Sequence, residues 1–234
     1  METEAATLTR ELEGFARERG ADLFGVADLR AAGDLDLPRD GPRVDFPLAV
    51  SLAMCLNDAI VDGHDPSEGH RRSLYWHHIY DVVTPALDVL AHDVSRWLAT
   101  RRFQAFPVPG SSPYDAKRLQ GIFSHKLAAH LAGLGWIGKN SLLLTRTFGP
   151  RVRLVTVLTD APLEARSSLD RRCGRCTDCI DACPVDAFSG AEFQADQARE
   201  TRFDAFKCSE YRREHACGRC VAVCPVGSHR KRRV

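Results

Sequence analysis

Eight cysteines fall into two runs, Cys173-x2-Cys176-x2-Cys179-x3-Cys183-Pro184 and Cys208-x8-Cys217-x2-Cys220-x3-Cys224-Pro225. The first has the bacterial spacing for paired [4Fe–4S] clusters, and the second is a stretched version of it. Three thiolates two residues apart wrap one tight loop around three iron corners of a cubane. The fourth, at the start of a short helix, points away to the other cluster, and the proline stiffens that departure. The ligand sets read as crossed: Cys173, Cys176, Cys179 and Cys224 for one cluster, Cys183, Cys208, Cys217 and Cys220 for the other. Structural zinc is the rival, but zinc knuckles supply cysteines in C-x2-C pairs to a tetrahedron. A triple followed by x3-C-P, and echoed once, is poorly explained that way. Two clusters in one segment imply that electrons enter and leave through it, at potentials that extend to about −700 mV across the class.

A second stretch, residues 133–140 (GLGWIGKN), contains the letters G-x-G-x-x-G at Gly133, Gly135 and Gly138. A dinucleotide fingerprint requires a strand before the first glycine and a helix after the last. Here the order is reversed, because the stretch follows a helical pattern and precedes a strand pattern. The glycines are better placed to end a helix, at Gly133 or Gly135, and to turn the chain into a sheet at Gly138. Trp136 and Lys139 stand beside them, either as a packed helix end or as a close approach to a bound group. His64, His70, His77 and His78 lack H-x-x-x-H spacing and a neighbouring cysteine, which argues against a mononuclear metal site. His125 and Lys126 flank an apolar helix face, at the edge of a pocket or of solvent. Cys55 reads as a small buried hydrophobe. Hydrolase, phosphate-loop and Cys–His catalytic signatures are missing from the sequence.

The elements that must hold these groups can be read from periodicity. Leu8, Leu12, Phe15 and Ala16 recur at helical spacing; residues 22–27 and 47–55 read as strands. A long helical pattern runs from Ile79 to Leu98, with Pro85 set to kink or split it. Residues 103–108 read as a strand. A further helix is expected to carry Leu119, Ile122, Phe123, Leu127, Leu131 and Leu134 on one face, followed by strands over 141–147 and 152–159. The chain has 234 residues, 44% of them hydrophobic, with a formal net charge of +1. That balance provides no global field for nucleic acid or a membrane; the basic end, His229–Val234, reads as a solvated tail. The N-terminal stretch is amphipathic and is not a signal peptide, so a cytoplasmic protein is expected, in which thiols serve metals rather than disulfides. Only Cys55 precedes residue 172, and the Pro-, Ser- and charge-rich stretch 161–172 places a boundary near residue 165.

The motif Ala132–Asn140 (AGLGWIGKN), joined to the unequal cysteine runs, resembles the epoxyqueuosine reductase family and its relatives, the reductive dehalogenases. The resemblance extends from DLFGVAD near the N-terminus to Pro225. It implies an α+β protein, with an α/β sandwich-like, nitroreductase-type domain over 1–165 adapted to cobalamin. A bacterial-type two-cluster ferredoxin domain follows over 166–234. Gly135, Trp136, Ile137, Gly138, Lys139 and Asn140 are then the candidate cofactor contacts, with flavin the lesser choice of cofactor. The implied activity is that of an iron–sulfur oxidoreductase, passing single electrons to cobalamin or to a small-molecule or protein substrate. A low-potential ferredoxin or flavodoxin is the expected donor. The alternative is an electron-transfer or corrinoid-reactivating partner, whose N-terminal domain docks another protein. Two departures matter. The tRNA-acting members continue into a helical-repeat region, whereas this chain ends ten residues after Cys224, so tRNA is not the expected substrate. Those members also carry an acid at the start of the helix that precedes AGLGWIGKN, where Leu119-Gln120 stands here; Asp115 and Tyr114 upstream are the substitute proton donors.

Overall fold

The β-branched and leucine-rich runs of the first two-thirds of the sequence assemble a four-stranded sheet. The computed structural model describes residues 3–32, 46–111 and 114–227; the basic tail lies outside them. Chain contacts divide the protein into two units that are discontinuous in sequence. One combines residues 1–54, 84–134 and 153–169, and the other combines 55–83, 135–152 and 170–234. The contact division therefore falls at 169–170 rather than 165, and the cysteine-rich unit takes in two earlier segments. The stretch 161–169 does not behave as a loose linker: Ala161 and Leu163 are buried, Glu164 N donates to Thr9 Oγ1, and Arg166 N donates to the Val26 carbonyl.

The elements run α1 (Glu4–Glu18), β1 (Leu23–Asp28) and β2 (Leu48–Cys55), then α2 (Asp58–Asp62) and α3 (Gly69–His77). A π-helical turn (His78–Val83) leads into α4 (Thr84–Thr100), followed by β3 (Ala105–Val108), β4 (Tyr114–Asp115) and β5 (Gln120–Gly121). Next come α5 (His125–Leu131), β6 (Gly135–Ile137), β7 (Leu143–Thr145) and β8 (Val152–Thr159). Short helices α6 (Asp178–Asp181), α7 (Ala205–His215) and α8 (Arg219–Ala222) complete the order.

The main sheet has the order β1-β2-β8-β3. β1 and β2 are antiparallel from Leu23↔Ala53 to Asp28↔Leu48, and β3 and β8 from Ala105↔Thr159 to Val108↔Thr156. β2 is buried continuously over its first six residues, as an internal strand covered on both faces must be. Leu12, Phe24, Leu52, Leu87 and Leu90 are almost wholly enclosed, each burial contributing about 1.5–3 kcal/mol. α1 begins at a Thr3 cap whose Oγ1 accepts from Ala6 N, and it packs on β1 and α4. Pro85 follows closely on a π-helical turn inside a helical run that continues from α3 into α4, and the widened ladder there accommodates its missing N–H. The regular α-helical pattern is thus interrupted, not ended, at the π-helical turn just before it.

One expected element is shorter than its apolar pattern. Residues 119–124 are not helical: the Asp115 carboxylate accepts from Lys117 N and Arg118 N, and Leu119 adopts φ +52°. This turn offers the backbone an alternative to a helix, so β4 and β5 pair and α5 begins only after its Ser124 cap. Helix α5 ends as its glycine requires, with Gly133 at φ +72° and no room for a Cβ against the Ser167 carbonyl.

In the second unit, β6 and β7 form a hairpin with register Gly135↔Thr145 to Ile137↔Leu143. Gly135 lies so close to the Leu144 carbonyl that any side chain would collide with it. The expected strand over 141–147 therefore pairs with 135–137, while 152–159 belongs to the main sheet. Arg151, nearly buried, bridges Asp58 at 3.0 Å and Asp62 at 2.6 Å and donates to the Ala222 carbonyl. It thereby ties α2 to the end of α8. No helix among the described residues is long and apolar enough to cross a membrane.

Candidate metal centre

None of the nine cysteines is in a disulfide. Three helices of the second unit carry one ligand-type thiol each, Cys179 on α6, Cys208 on α7 and Cys220 on α8, and α6 packs with α8. The fourth cysteine of each run leaves its own loop. Cys224 is electrostatically coupled to Cys173, Cys179 and Cys176, and Cys183 to Cys208, Cys217 and Cys220. Each fourth cysteine therefore lies within electrostatic range of thiols of the other run, and Cys220 also of Cys179. Among the described residues, no three His, Cys, Asp or Glu side chains close on a single-ion site.

Burial pushes these thiols up. Cys179 and Cys224, each 8% exposed, are raised to about 11. Cys173, Cys208, Cys217 and Cys220 are raised by the same desolvation, with neighbouring thiols adding to it. Thiolate charge in such a place requires a cation, and iron binding must expel the protons. Backbone N–H groups aim at several sulfurs and favour the charged form: Ala187 N lies 3.3 Å from Cys183 Sγ, Val226 N–H acts on Cys224, and Arg219 N–H acts on Cys217.

The Gly135–Asn140 segment belongs to this unit. Lys139, 9% exposed, donates through Nζ to the Gly174 carbonyl at 2.7 Å and the Cys176 carbonyl at 3.2 Å. Asn140 Nδ2 donates to the Cys220 carbonyl at 3.3 Å. One tight turn, closed by Gly138 N to Leu142 O and Ser141 N to Gly138 O, thus reaches a cysteine loop of each group. Trp136 packs with Leu144 and Cys224 against Cys173 and Val226. Beside it opens a cleft of about 580 Å³ lined by Trp136, Arg146, Arg171, Arg172, Pro225, Val226 and Gly227.

The other groups singled out by the sequence have partners of their own. Asp115 ends β4 in the sheet unit, exposed, its carboxylate engaged by Lys117 N and Arg118 N; Tyr114 begins the same strand. His64 stacks on Tyr75, His77 meets Asp81 at 3.0 Å, and His78 Nε2 accepts from Asn57 N. Cys55 ends β2 half-buried. His125 is not a solvated helix edge. Its Nε2 donates to the Pro109 carbonyl at 3.0 Å, and its Nδ1 lies 2.8 Å from Thr156 Oγ1, a hydroxyl able to donate to a neutral imidazole. Desolvation lowers it to about 4. Sequence reasoning missed both this pin and Arg151, because each depends on partners 16 to 93 positions away.

Comparison with known proteins adds a name to the cysteine-rich segment. Residues 172–228 match the 4Fe-4S dicluster domain. Iron–sulfur clusters are accordingly the metal centres of this segment. Curated relatives are named epoxyqueuosine reductase, an oxidoreductase. That of Bacillus anthracis is 34% identical over 113 residues, 45% of this chain and 30% of the relative. That of Gloeobacter violaceus is 46% identical over 67 residues, 29% of this chain and 21% of the relative. The first matches span about a third of the length of those relatives. Among solved structures, a reductive dehalogenase described for B12-dependent dehalogenation superposes with a TM-score of 0.72 at 19% identity, covering 95% of this chain and 32% of that one. Epoxyqueuosine reductase of Streptococcus thermophilus gives 0.60 at 18% identity, covering 94% and 66%. The fold is thus mixed helix and sheet, of the kind shared by those two enzymes, with a dicluster segment at its C-terminal end.

Proposed function

We propose that this chain is an epoxyqueuosine-reductase-like iron–sulfur reductase, in which two [4Fe–4S] clusters pass single electrons to a cofactor or substrate held by the sheet-bearing N-terminal part. What supports this reading is the electrostatic proximity of Cys224 and Cys183 to thiols of the other run, with Lys139 and Asn140 of one turn bonded to loops of both, in a segment that matches the 4Fe-4S dicluster domain. Cys173, Cys176, Cys179 and Cys224 would ligate one cluster, and Cys183, Cys208, Cys217 and Cys220 the other. Burial of these thiols, and the N–H groups aimed at their sulfurs, suit anionic clusters better than free thiols. Bound there, the clusters supply one-electron storage.

The protein's own contribution is to hold and screen that charge. Lys139 fixes the 174–176 loop, and Asn140 fixes the loop of Cys220. Arg146, Arg171 and Arg172 rim the cleft beside Trp136, a charge pattern complementary to an acidic electron donor such as a flavodoxin or ferredoxin. The functional division proposed is an electron-carrying part over 166–234, steadied by 135–152, and an acceptor-binding part within 1–165 of nitroreductase-like sandwich type.

Cobalamin is the proposed acceptor, and its support is the fold likeness to the B12-dependent dehalogenase. The polar side chains of the 135–140 segment are directed to the cysteine loops, so no residue here is assigned to a corrinoid and no step is routed through one. The test is anaerobic reconstitution followed by addition of cobalamin. Tight binding and cluster-dependent reduction of the corrinoid, read by visible spectra, are expected. Loaded clusters with neither would leave the protein as an electron carrier that docks its acceptor on another chain.

A further inference from the structure

The indole of Trp136 is 4% exposed, and its Nε1 is buried with no hydrogen-bond partner of standard geometry. Leaving such a donor unpaired costs about 1–3 kcal/mol, so a buried indole N–H ordinarily has an acceptor. The group that it approaches is the sulfur of Cys173, which the backbone N–H of Lys139 also approaches. The ring has little freedom to turn elsewhere: it is packed among Leu144, Cys224, Cys173 and Val226, with the Arg171 guanidinium 5.5 Å from its centroid. A neutral thiol is a weak acceptor, whereas an iron-bound thiolate is a strong one. The unmatched donor is thus aimed at the atom that gains acceptor strength when a cluster binds.

Hydrogen bonds to the sulfurs are among the levers by which a protein sets the potential of a cluster. An N–H donor stabilises the more negative, reduced form more than the oxidised one, which raises the potential. We propose that the Trp136 indole N–H donates to the Cys173 sulfur and raises the reduction potential of the cluster that Cys173 ligates, leaving the other cluster unaffected. This inference rests on the reading that Cys173, Cys176, Cys179 and Cys224 hold a [4Fe–4S] cluster. Trp136 is then a positioning and tuning residue in the cluster's surroundings. It also gives the tryptophan of the GLGWIGKN turn a task that its neighbours Lys139 and Asn140, which hold loops, do not perform.

The test is an EPR-monitored redox titration of the whole reconstituted chain and of Trp136→Phe, each cluster taking one electron from the titrant. The expected result is that one of the two clusters becomes harder to reduce. Its reduced-to-oxidised ratio at a fixed potential should fall by up to about tenfold, equivalent to about 59 mV for a one-electron couple, while the other midpoint stays put. Should Trp136→Phe load iron poorly, β-(3-benzothienyl)alanine at position 136 keeps the ring shape without the N–H and must give the same shift. In the native chain labelled with 15N-indole tryptophan, the reduced cluster should show a hyperfine coupling that Trp136→Phe abolishes. Full iron and sulfide content with both midpoints unchanged, or with both moved equally, would overturn the inference while leaving the two-cluster reading intact. A native chain that assembles no cluster would remove both.

Discussion

The two thiol groups are stabilised by different means. Around Cys173, Cys179 and Cys224 the stabilising groups are neutral: backbone N–H of Lys139 and Val226 and, by the inference above, the Trp136 indole, with Cys179 and Cys224 nearly buried. Around Cys208 and Cys217 they include full charges, the guanidinium groups of Arg212 and Arg219, both on exposed residues. Hydrogen bonds from a packed turn act at contact range and are indifferent to salt. Exposed cations act through solvent and are screened over about 8–10 Å at ordinary ionic strength. With the proposed ligand sets, two similar inorganic groups would sit in unlike surroundings, the physical requirement for giving them different potentials.

The most severe way to break the comparison is to remove the crossing. Cys183→Ala should lose the cluster of Cys208, Cys217 and Cys220 and keep that of Cys173, so bound iron should fall from about eight atoms to about four. The surviving EPR signal should still respond to Trp136→Phe. A surviving signal that ignores Trp136→Phe would mean that each run keeps its own fourth cysteine.

A control from the sheet unit comes next in size. His125 is neutral when folded and lowered to about 4 by burial, the carbonyl of Pro109 and the Asp88 charge working against that and Arg153 adding to it. Its contribution to stability is complete above the unfolded value of about 6.5 and is lost as pH falls towards 4, up to about 3 kcal/mol. Chemical denaturation between pH 7 and 4.5 should show this acid loss in the native chain and a smaller one in His125→Gln. Equal slopes would contradict the assignment of a buried neutral imidazole.

Arg151→Met should cost about 2 kcal/mol in thermal unfolding, because it strips the bridge from Asp58 and Asp62 while those partly exposed carboxylates stay solvated. Cluster spectra should change little once iron is bound, since Arg151 touches the Ala222 carbonyl and no sulfur. The smallest effect is electrostatic. Arg219→Gln should lower the potential of the second cluster slightly, and the difference from native should shrink as salt is raised. The Trp136→Phe shift should persist at every salt concentration. A salt-sensitive Trp136 effect would erase the distinction between the two surroundings.

The iron–sulfur character of the cysteine-rich segment was legible because cysteine spacing is local: three thiols two residues apart report a loop without any knowledge of the rest. Strands β1, β2, β3 and β8 and helix α1 were legible for the same reason, since periodicity is local. The helix expected over 119–134 was overstated because the Asp115 turn and the Ser124 cap outweigh apolar spacing at its start. The glycine-rich turn was read correctly as a helix exit rather than a phosphate loop. Its reach to the cysteine loops was not legible, since Lys139 and Gly174 are separated by 35 positions and Asn140 and Cys220 by 80. The same holds for the discontinuous units, in which 55–83 and 135–152 join the C-terminal segment through tertiary contacts alone.

Metal and sulfide analysis of the anaerobically reconstituted chain, with Mössbauer spectra of the 57Fe-loaded protein, tests the central claim most directly. Two cubane clusters predict about eight iron and about eight sulfide per chain, all iron in [4Fe–4S] quadrupole doublets, and negligible zinc. Stoichiometric zinc, or iron that saturates at about four per chain in the native protein, would contradict it.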